Sequence, residues 1–180
     1  MQRMSGIATT TQKYAKAVEG TNAKVIDTRK TTPNLRFLEK YAVTVGGGFN
    51  HRFGLYDMIM LKDNHIDFCG GITKAIQKVR KYLSDNNLSL KIEVETRNID
   101  DVKEILACGG IDRIMLDNYK PEDCKTAVDL INKQYEVEAS GGITLETIRA
   151  YAETGVDFIS VGALTHSVKS LDLSLKATFK

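Results

Sequence analysis

KIEVE (91–95), DRIMLD (112–117), YEVEAS (135–140) and DFISVG (157–162) decide the fold. Each is a short β-branched or apolar run, and their last residues, Glu95, Asp117, Ser140 and Gly162, lie 22, 23 and 22 positions apart. Between them apolar residues recur at helical spacing: Ile99, Val102, Ile105 and Leu106, then Ala127, Leu130 and Ile131, then Leu145, Ile148 and Ala152. Start and stop signals agree. Asn98 can cap the first helix and Gly109 follow it, Pro121 suits the first turn of the second, and Gly155 follows the third. A strand plus a helix within that repeat is a βα unit, and a run of such units makes a parallel sheet.

Towards the N-terminus the beat is less regular. AKVIDT (23–28) and YDMIMLK (56–62) read as strands, AVTV (42–45) as a further short one, and Ile72, Ile76, Val79 and Leu83 as a helix that the polar SDNN (84–87) ends. Six clear strands and one doubtful one, evenly spaced and with no point of reversal, predict an α/β fold. It is an incomplete, about seven-stranded TIM-like β/α barrel with parallel strands, smaller than the usual ~250-residue eight-fold form. No linker or low-complexity tract divides the chain, so residues 1–180 read as one domain.

Composition excludes several classes. Apolar residues make up 42% and charged residues 27%, and the net charge of +2 argues for neither a nucleic-acid nor a membrane partner. No apolar run approaches the ~18 residues of a spanning helix. The opening MQRMSGIATTT has no signal-peptide core, which makes the cytoplasm the expected compartment. Cys69, Cys108 and Cys124 match no zinc spacing and are expected to be reduced, packed thiols.

In a barrel of this kind the site lies at the carboxyl ends of the strands. Here those ends read DTRK, LKDNH, EVET, LDN, ASGG and SVGALTH, polar or glycine-bearing throughout. From Lys24 to Lys62 seven basic side chains face three acidic ones. Arg29, Lys30, Arg52 and Lys62 flank strand ends and could converge on one anion, or the stretch is a solvated basic face, with Arg36 and Lys40 on an exposed helix. Glu93 and Glu95 point to one side of their strand. Glu95 and Asp117 end adjacent strands about 4.8 Å apart, a pocket for a hard cation such as Mg²⁺ or for positive charge developing on a sugar. Alternatively one of them pairs with Lys30 or Lys62. Ser140-Gly141-Gly142, leading into a helix near Thr144, and Gly162, leading towards Thr165 and His166, have the form of a barrel phosphate site. GGGFNHR (46–52) reads as a loop that carries His51 and Arg52 to the site. His51 and His166 are candidate ligand contacts, whereas His65 caps or packs.

Several stretches resemble the signature segments of quinolinate phosphoribosyltransferase: SGIATTT (5–11), DTRKTTPNLR (27–36), KYAVTVGGGFNHRFGLYDMIMLKDNHI (40–66), EVET (93–96), IMLDN (114–118), EASGGI (138–143) and GVDFISVGALTH (155–166). They occur in order across nearly the whole chain. The resemblance implies a compact incomplete barrel, and transfer of phosphoribosyl from phosphoribosyl pyrophosphate to the quinolinate nitrogen. Decarboxylation then gives nicotinate mononucleotide, CO₂ and pyrophosphate. It implies that Arg29, Lys30, His51, Arg52 and Lys62 bind the quinolinate carboxylates and the pyrophosphate end of the donor. Glu95 and Asp117 would hold ribose hydroxyls and Mg²⁺. The backbone around Ser140, Gly141, Gly142 and Gly162 would take the 5′-phosphate, with Thr28 and His166 as further substrate contacts and Lys30, Glu95, Asp117 and Lys62 as the catalytic set. It also implies a homodimer or higher oligomer, and an N-terminal α/β domain of the family that this chain does not carry. Competing readings are a phosphoribosyltransferase of another pyridine or aromatic acid, a barrel that binds phosphoribosyl ligands without turnover, and a Schiff-base aldolase using Lys62 or Lys30.

Overall fold

Alternate residues of the strands carry opposite chemistry, and that decides what each face of the sheet meets. The computed structural model describes residues 1–179. Its six strands are β1 (Lys24–Ile26), β2 (Ile59–Leu61), β3 (Ile92–Thr96), β4 (Arg113–Asp117), β5 (Glu136–Ser140) and β6 (Phe158–Ser160). All pair in parallel in the order β1-β6-β5-β4-β3-β2. In parallel register, residues directly opposite share a face. Met60, Glu93, Arg113 and Glu136 therefore form one level of the inner face, Glu95, Met115, Glu138 and Phe158 the next, and Asp117 and Ser140 a third. The other face, with Val94, Ile114, Leu116, Val137, Ala139 and Ile159, is fully or almost fully buried against helices. Burial of each larger side chain there stabilises the fold by about 1.5–3 kcal/mol.

The helices are α1 (Gln2–Ala17), α2 (Arg36–Val45), α3 (Asp63–Cys69), α4 (Ile72–Asp85), α5 (Ile99–Cys108), α6 (Pro121–Ile131), α7 (Ile148–Ala152) and α8 (Ala163–His166). The expected caps form. Asn98 Oδ1 accepts the Asp100 and Asp101 amides, Pro121 opens α6, and Gly109 ends α5 at φ 64°. Helix α1 packs on α2 and β1. The α1–α2 approach needs Gly46, where a Cβ would lie 2.4 Å from the Ala8 carbonyl oxygen.

The fold departs from expectation in two places. AVTV (42–45) is the second half of α2, because Ala42 and Val43 meet the core while Tyr41 and Val45 stay exposed, a helical rather than an alternating pattern. The described residues thus hold six strands, and the barrel stays open between β1 and β2, as expected of an incomplete one. The GGGFNHR loop contributes only a single parallel bridge there, Ile26 to Phe49. After Gly142 the chain makes a turn over Thr144–Thr147, closed by Thr144 N donating to Thr147 Oγ1, so α7 starts at Ile148 instead of near Thr144. The three cysteines are free thiols, and burial pushes Cys124 up to about 12.

Candidate functional site

The open end of the barrel holds a cleft of about 900 Å³. Thr28, Arg29, Lys30, His51, Arg52, Lys62, Glu95, Asp117, Ser140, Gly141, Gly142, Gly162 and His166 all line it, so every residue that the resemblance assigns to the site reaches one cavity. The loop after β1 is fixed from three sides. Arg3 of α1 donates to Glu39 and to Thr32 Oγ1, Glu39 accepts the Thr32 amide, and Thr165 Oγ1 donates to the Lys30 carbonyl. Thr28 Oγ1 accepts the Lys30 amide. Backbone contacts thus aim Arg29 and Lys30, and their side chains remain available.

The basic side is short of counter-charge. Arg29 Nε is buried with no partner. The Arg52 guanidinium donates only to the Met58 carbonyl, at 3.1 Å, and to Met60 Sδ. Burial, and then the charge of Arg29, pull the Arg52 guanidinium below its ordinary pKa. Two guanidinium groups that repel each other and lack a carboxylate are arranged for an anionic ligand. Lys40, in contrast, is not on an exposed helix face. It is 1% exposed, and its Nζ donates to Asp27 Oδ1 at 2.5 Å and to the His51 carbonyl at 2.9 Å. Arg36 is half-buried and holds the Thr31 hydroxyl and the Arg29 and Phe53 carbonyls. Both basic residues therefore fasten loops.

Across the cleft Glu95 and Asp117 rise from adjacent strands. Burial and then the Asp117 charge push the Glu95 carboxyl above its usual range. Lys62, at 3.8 Å, is 50% exposed, and a pair of that kind contributes about 0–1 kcal/mol. Two carboxylates that repel each other fit a hard divalent cation or a developing cation on a sugar. Asp117 Oδ2 accepts Asn118 Nδ2 at 2.6 Å, and Asn118 N donates to the Ser140 carbonyl, which ties β4 to the glycine loop. There Gly141 and Gly142 adopt φ of 96° and 61°. Among the described residues no protein acceptor takes the N–H groups of Gly141, Gly142 or Gly162. A Cβ on Gly141 would lie 2.3 Å from Asn118 Oδ1, and one on Gly162 2.9 Å from His166 Nε2.

At the floor of the cleft is a polar layer, Glu93, Arg113 and Glu138 with His51, of which the sequence reading named Glu93 and His51 but neither Arg113 nor Glu138. Their signal was the charge at alternate positions of IEVET, RIMLD and EVEAS, in strands that a packed barrel would fill with apolar residues on both faces. His51 Nε2 lies 3.0 Å from Glu93 Oε2 and 3.2 Å from Glu138 Oε2, although neither oxygen lies along the ring N–H. Burial lowers the pKa of His51 and the two carboxylates raise it, but the Arg52 backbone N–H directed at Nδ1 from 2.6 Å opposes a second ring proton, so the ring is neutral with its hydrogen on Nε2. Burial, and then the charge of Glu138, push Glu93 up to about 7. His65 caps α3, its Nδ1 accepting the Lys62 amide at 3.0 Å.

The chain is similar to known proteins along nearly its whole length. A family model described as quinolinate phosphoribosyl transferase, C-terminal domain, matches residues 7–176. A chloroplastic nicotinate-nucleotide pyrophosphorylase of Arabidopsis thaliana is 52% identical over 190 residues, covering 98% of this chain and 54% of that protein. A probable nicotinate-nucleotide pyrophosphorylase of Bacillus subtilis is 49% identical, covering 99% of this chain and 60% of its own length. The crystal structure of NadC from Streptococcus pyogenes superposes with a TM-score of 0.91 at 48% identity, over 98% of this chain and 60% of that one. The chain thus spans little more than half the length of the relatives it matches.

Proposed function

Because the chain belongs to the quinolinate phosphoribosyltransferase family, through that family's C-terminal domain, we propose that its cleft joins quinolinate to the anomeric carbon of phosphoribosyl pyrophosphate in the making of nicotinate mononucleotide for NAD. The observation that carries this reading is the Arg29–Arg52 pair, half-buried, mutually repelling and without an ion-pair partner, facing an acidic pair across one cavity. A pyridine dicarboxylate answers the first charge and the ribosyl donor the second.

The residues divide the work as follows. Arg29 and Arg52, with Lys30 and Lys62, hold carboxylates and the pyrophosphate end of the donor. The free N–H groups of Gly141, Gly142 and Gly162 take the 5′-phosphate, where the lack of side chains lets the backbone approach. As the ribosyl–pyrophosphate bond breaks, positive charge grows on the sugar, and Glu95 and Asp117 are fixed beside it before the reaction starts. The same two carboxylates would hold Mg²⁺, a donor set suited to a hard cation; when bound it neutralises charge on the leaving pyrophosphate. Nitrogen alkylation makes the ring positive, which stabilises the electron pair left on the ring carbon as its bond to CO₂ breaks; a proton taken up at that carbon completes the product, and the protein's part is to hold the other carboxylate and restrict water. Lys62 is too exposed for the desolvated amine of a Schiff-base aldolase.

We place a second protomer against α2, where Phe37, Tyr41 and Val45 form an exposed apolar stripe. The cytoplasm is the compartment we favour, and the free thiols suit a reducing one. No described helix is long and apolar enough to cross a membrane.

The test is calorimetry with quinolinate followed by a pyrophosphate-release assay with donor and Mg²⁺. Binding and release are expected; a folded chain showing neither overturns the assignment. Gly141→Ala should lower affinity for the donor while sparing quinolinate, since its Cβ meets Asn118 and the strained φ costs of order 1 kcal/mol. Equal loss for both ligands would contradict the phosphate cradle.

A further inference from the structure

His51 lines the cleft, yet the protein engages both of its ring nitrogens. Nε2 faces Glu93 and Glu138, and Nδ1 accepts the Arg52 backbone N–H at 2.6 Å. Glu138 is held in turn. Its Oε2 accepts Arg113 Nη1 at 3.1 Å, and the Arg113 guanidinium lies 3.8 Å from the Phe158 ring centroid and donates to Glu136. A continuous line therefore runs Arg113–Glu138–His51–Arg52, from the middle of the sheet to the cleft wall. The His51 backbone is fixed as well, by Asp27 accepting its amide and Lys40 donating to its carbonyl.

We propose that Glu138, held by Arg113, is a positioning residue that fixes the His51 ring, and that the ring sets the Arg52 backbone and so the place where its guanidinium meets an anion. The anion being a pyridine carboxylate rests on the function proposed above; the clamp itself does not. A metal ion is the competing occupant, since donor atoms of His51, Glu93 and Glu138 all lie within 4.8 Å of one another. Two contacts oppose it. Arg113 already supplies positive charge to Glu138, and a histidine that coordinates through Nε2 carries its proton on Nδ1, where the Arg52 N–H points.

The experiment uses the full chain with ¹⁵N-labelled histidine and arginine. Three histidines are present, so single His65→Gln and His166→Gln variants assign the His51 ring. At neutral pH the ring should carry hydrogen on Nε2 with Nδ1 as an acceptor, and the Arg52 side-chain N–H should give a protected signal. Glu138→Gln should broaden or shift that signal. It should also weaken quinolinate binding on the order of tenfold to a hundredfold, the range for a small misplacement of a binding group, and leave donor affinity nearly unchanged. His51→Gln should do the same, because it lacks the Nδ1 acceptor. The proposal is overturned if Nδ1 carries a proton at neutral pH, if Zn²⁺ added alone shifts the His51 Nε2 signal, or if Glu138→Gln leaves the Arg52 signal untouched. The tautomer is read on the unmodified chain, so it decides even where a variant fails to fold. Should the wild type bind no quinolinate, the substrate reading fails while these spectra still judge the clamp.

Discussion

Asp117→Ala is expected to cut turnover by roughly 10²–10³-fold, the cost of deleting one preorganised electrostatic contact, while quinolinate binding stays nearly intact. Asp117 ends β4, opposite Ser140 of β5 and next to the Asn118 amide. It has no basic partner among the described residues, so its removal breaks no ion pair in the fold. What it loses is negative charge beside the ribose, where charge develops only as the bond to pyrophosphate breaks. A group that acts on the transition state lowers kcat when removed, whereas one that holds the ground state raises KM. Pyrophosphate release under saturating ligands reads the first quantity and calorimetry with quinolinate the second. If quinolinate affinity fell together with turnover, Asp117 would belong to the pyridine pocket, and the division of the cleft into a basic and an acidic side would be wrong.

That division follows from the inner face of the sheet. In an ordinary barrel this face is filled by branched aliphatic residues. Here it carries Glu93, Glu95, Arg113, Glu138 and Asp117, with Met60, Met115 and Phe158 between them. Hydrophobic stabilisation therefore comes from the outer face, where the helices cover Val94, Ile114, Leu116 and Val137. The interior is left to hold charges in fixed places, and rigid neighbouring strands spare the site the reorganisation that loops would need.

Much of this was legible in the chain. The repeat from Glu95 to Gly162 located four strands and their helices, because each βα unit begins and ends with residues whose caps or backbone angles are local: Asn98, Gly109 and Pro121. The strand-end rule then gathered the cleft residues without reference to their contacts. What escaped depended on long-range packing. AVTV has strand composition, yet it joins Arg36–Val45 as a helix because α1 covers one side of it, and no local signal reports α1. Lys40 looked like a surface lysine, since its partner Asp27 is thirteen residues away and buried. Glu138 and Arg113 sit inside strands, where reading only the strand ends passes over them.

Lys40→Met should be the most damaging single change to stability. Asp27 and Lys40 are fully or almost fully buried, and burial drives each towards its neutral form, raising Asp27 and lowering Lys40. Their contact and shared hydrogen bonds offset that cost: Asp27 Oδ1 accepts both Lys40 Nζ and the His51 amide, and Lys40 Nζ also holds the His51 carbonyl. Breaking such a pair from one side leaves an unpaired buried charge and costs about 3–5 kcal/mol. That is a large share of the 5–15 kcal/mol that typically keeps a domain folded. The pH dependence gives the cause a signature. With Lys40 gone, the folded-state pKa of Asp27 stands well above its unfolded value of about 3.9. The folded state then binds a proton more tightly than the unfolded chain, and stability rises as pH falls through the folded pKa. Lys40→Met should therefore recover part of its lost Tm between neutral and mildly acidic pH, where the wild type gains less because Lys40 holds the Asp27 pKa down. Asp27→Asn combined with Lys40→Met should be less destabilised than Lys40→Met alone, because no buried charge is stranded. Thermal melts of the three chains across that range decide it: a deficit independent of pH, or a double variant that is worse, would mean lost packing of the lysine stem and not a stranded carboxylate. Quinolinate affinity should fall along with stability in Lys40→Met, since the same two side chains anchor the loop that carries His51 and Arg52.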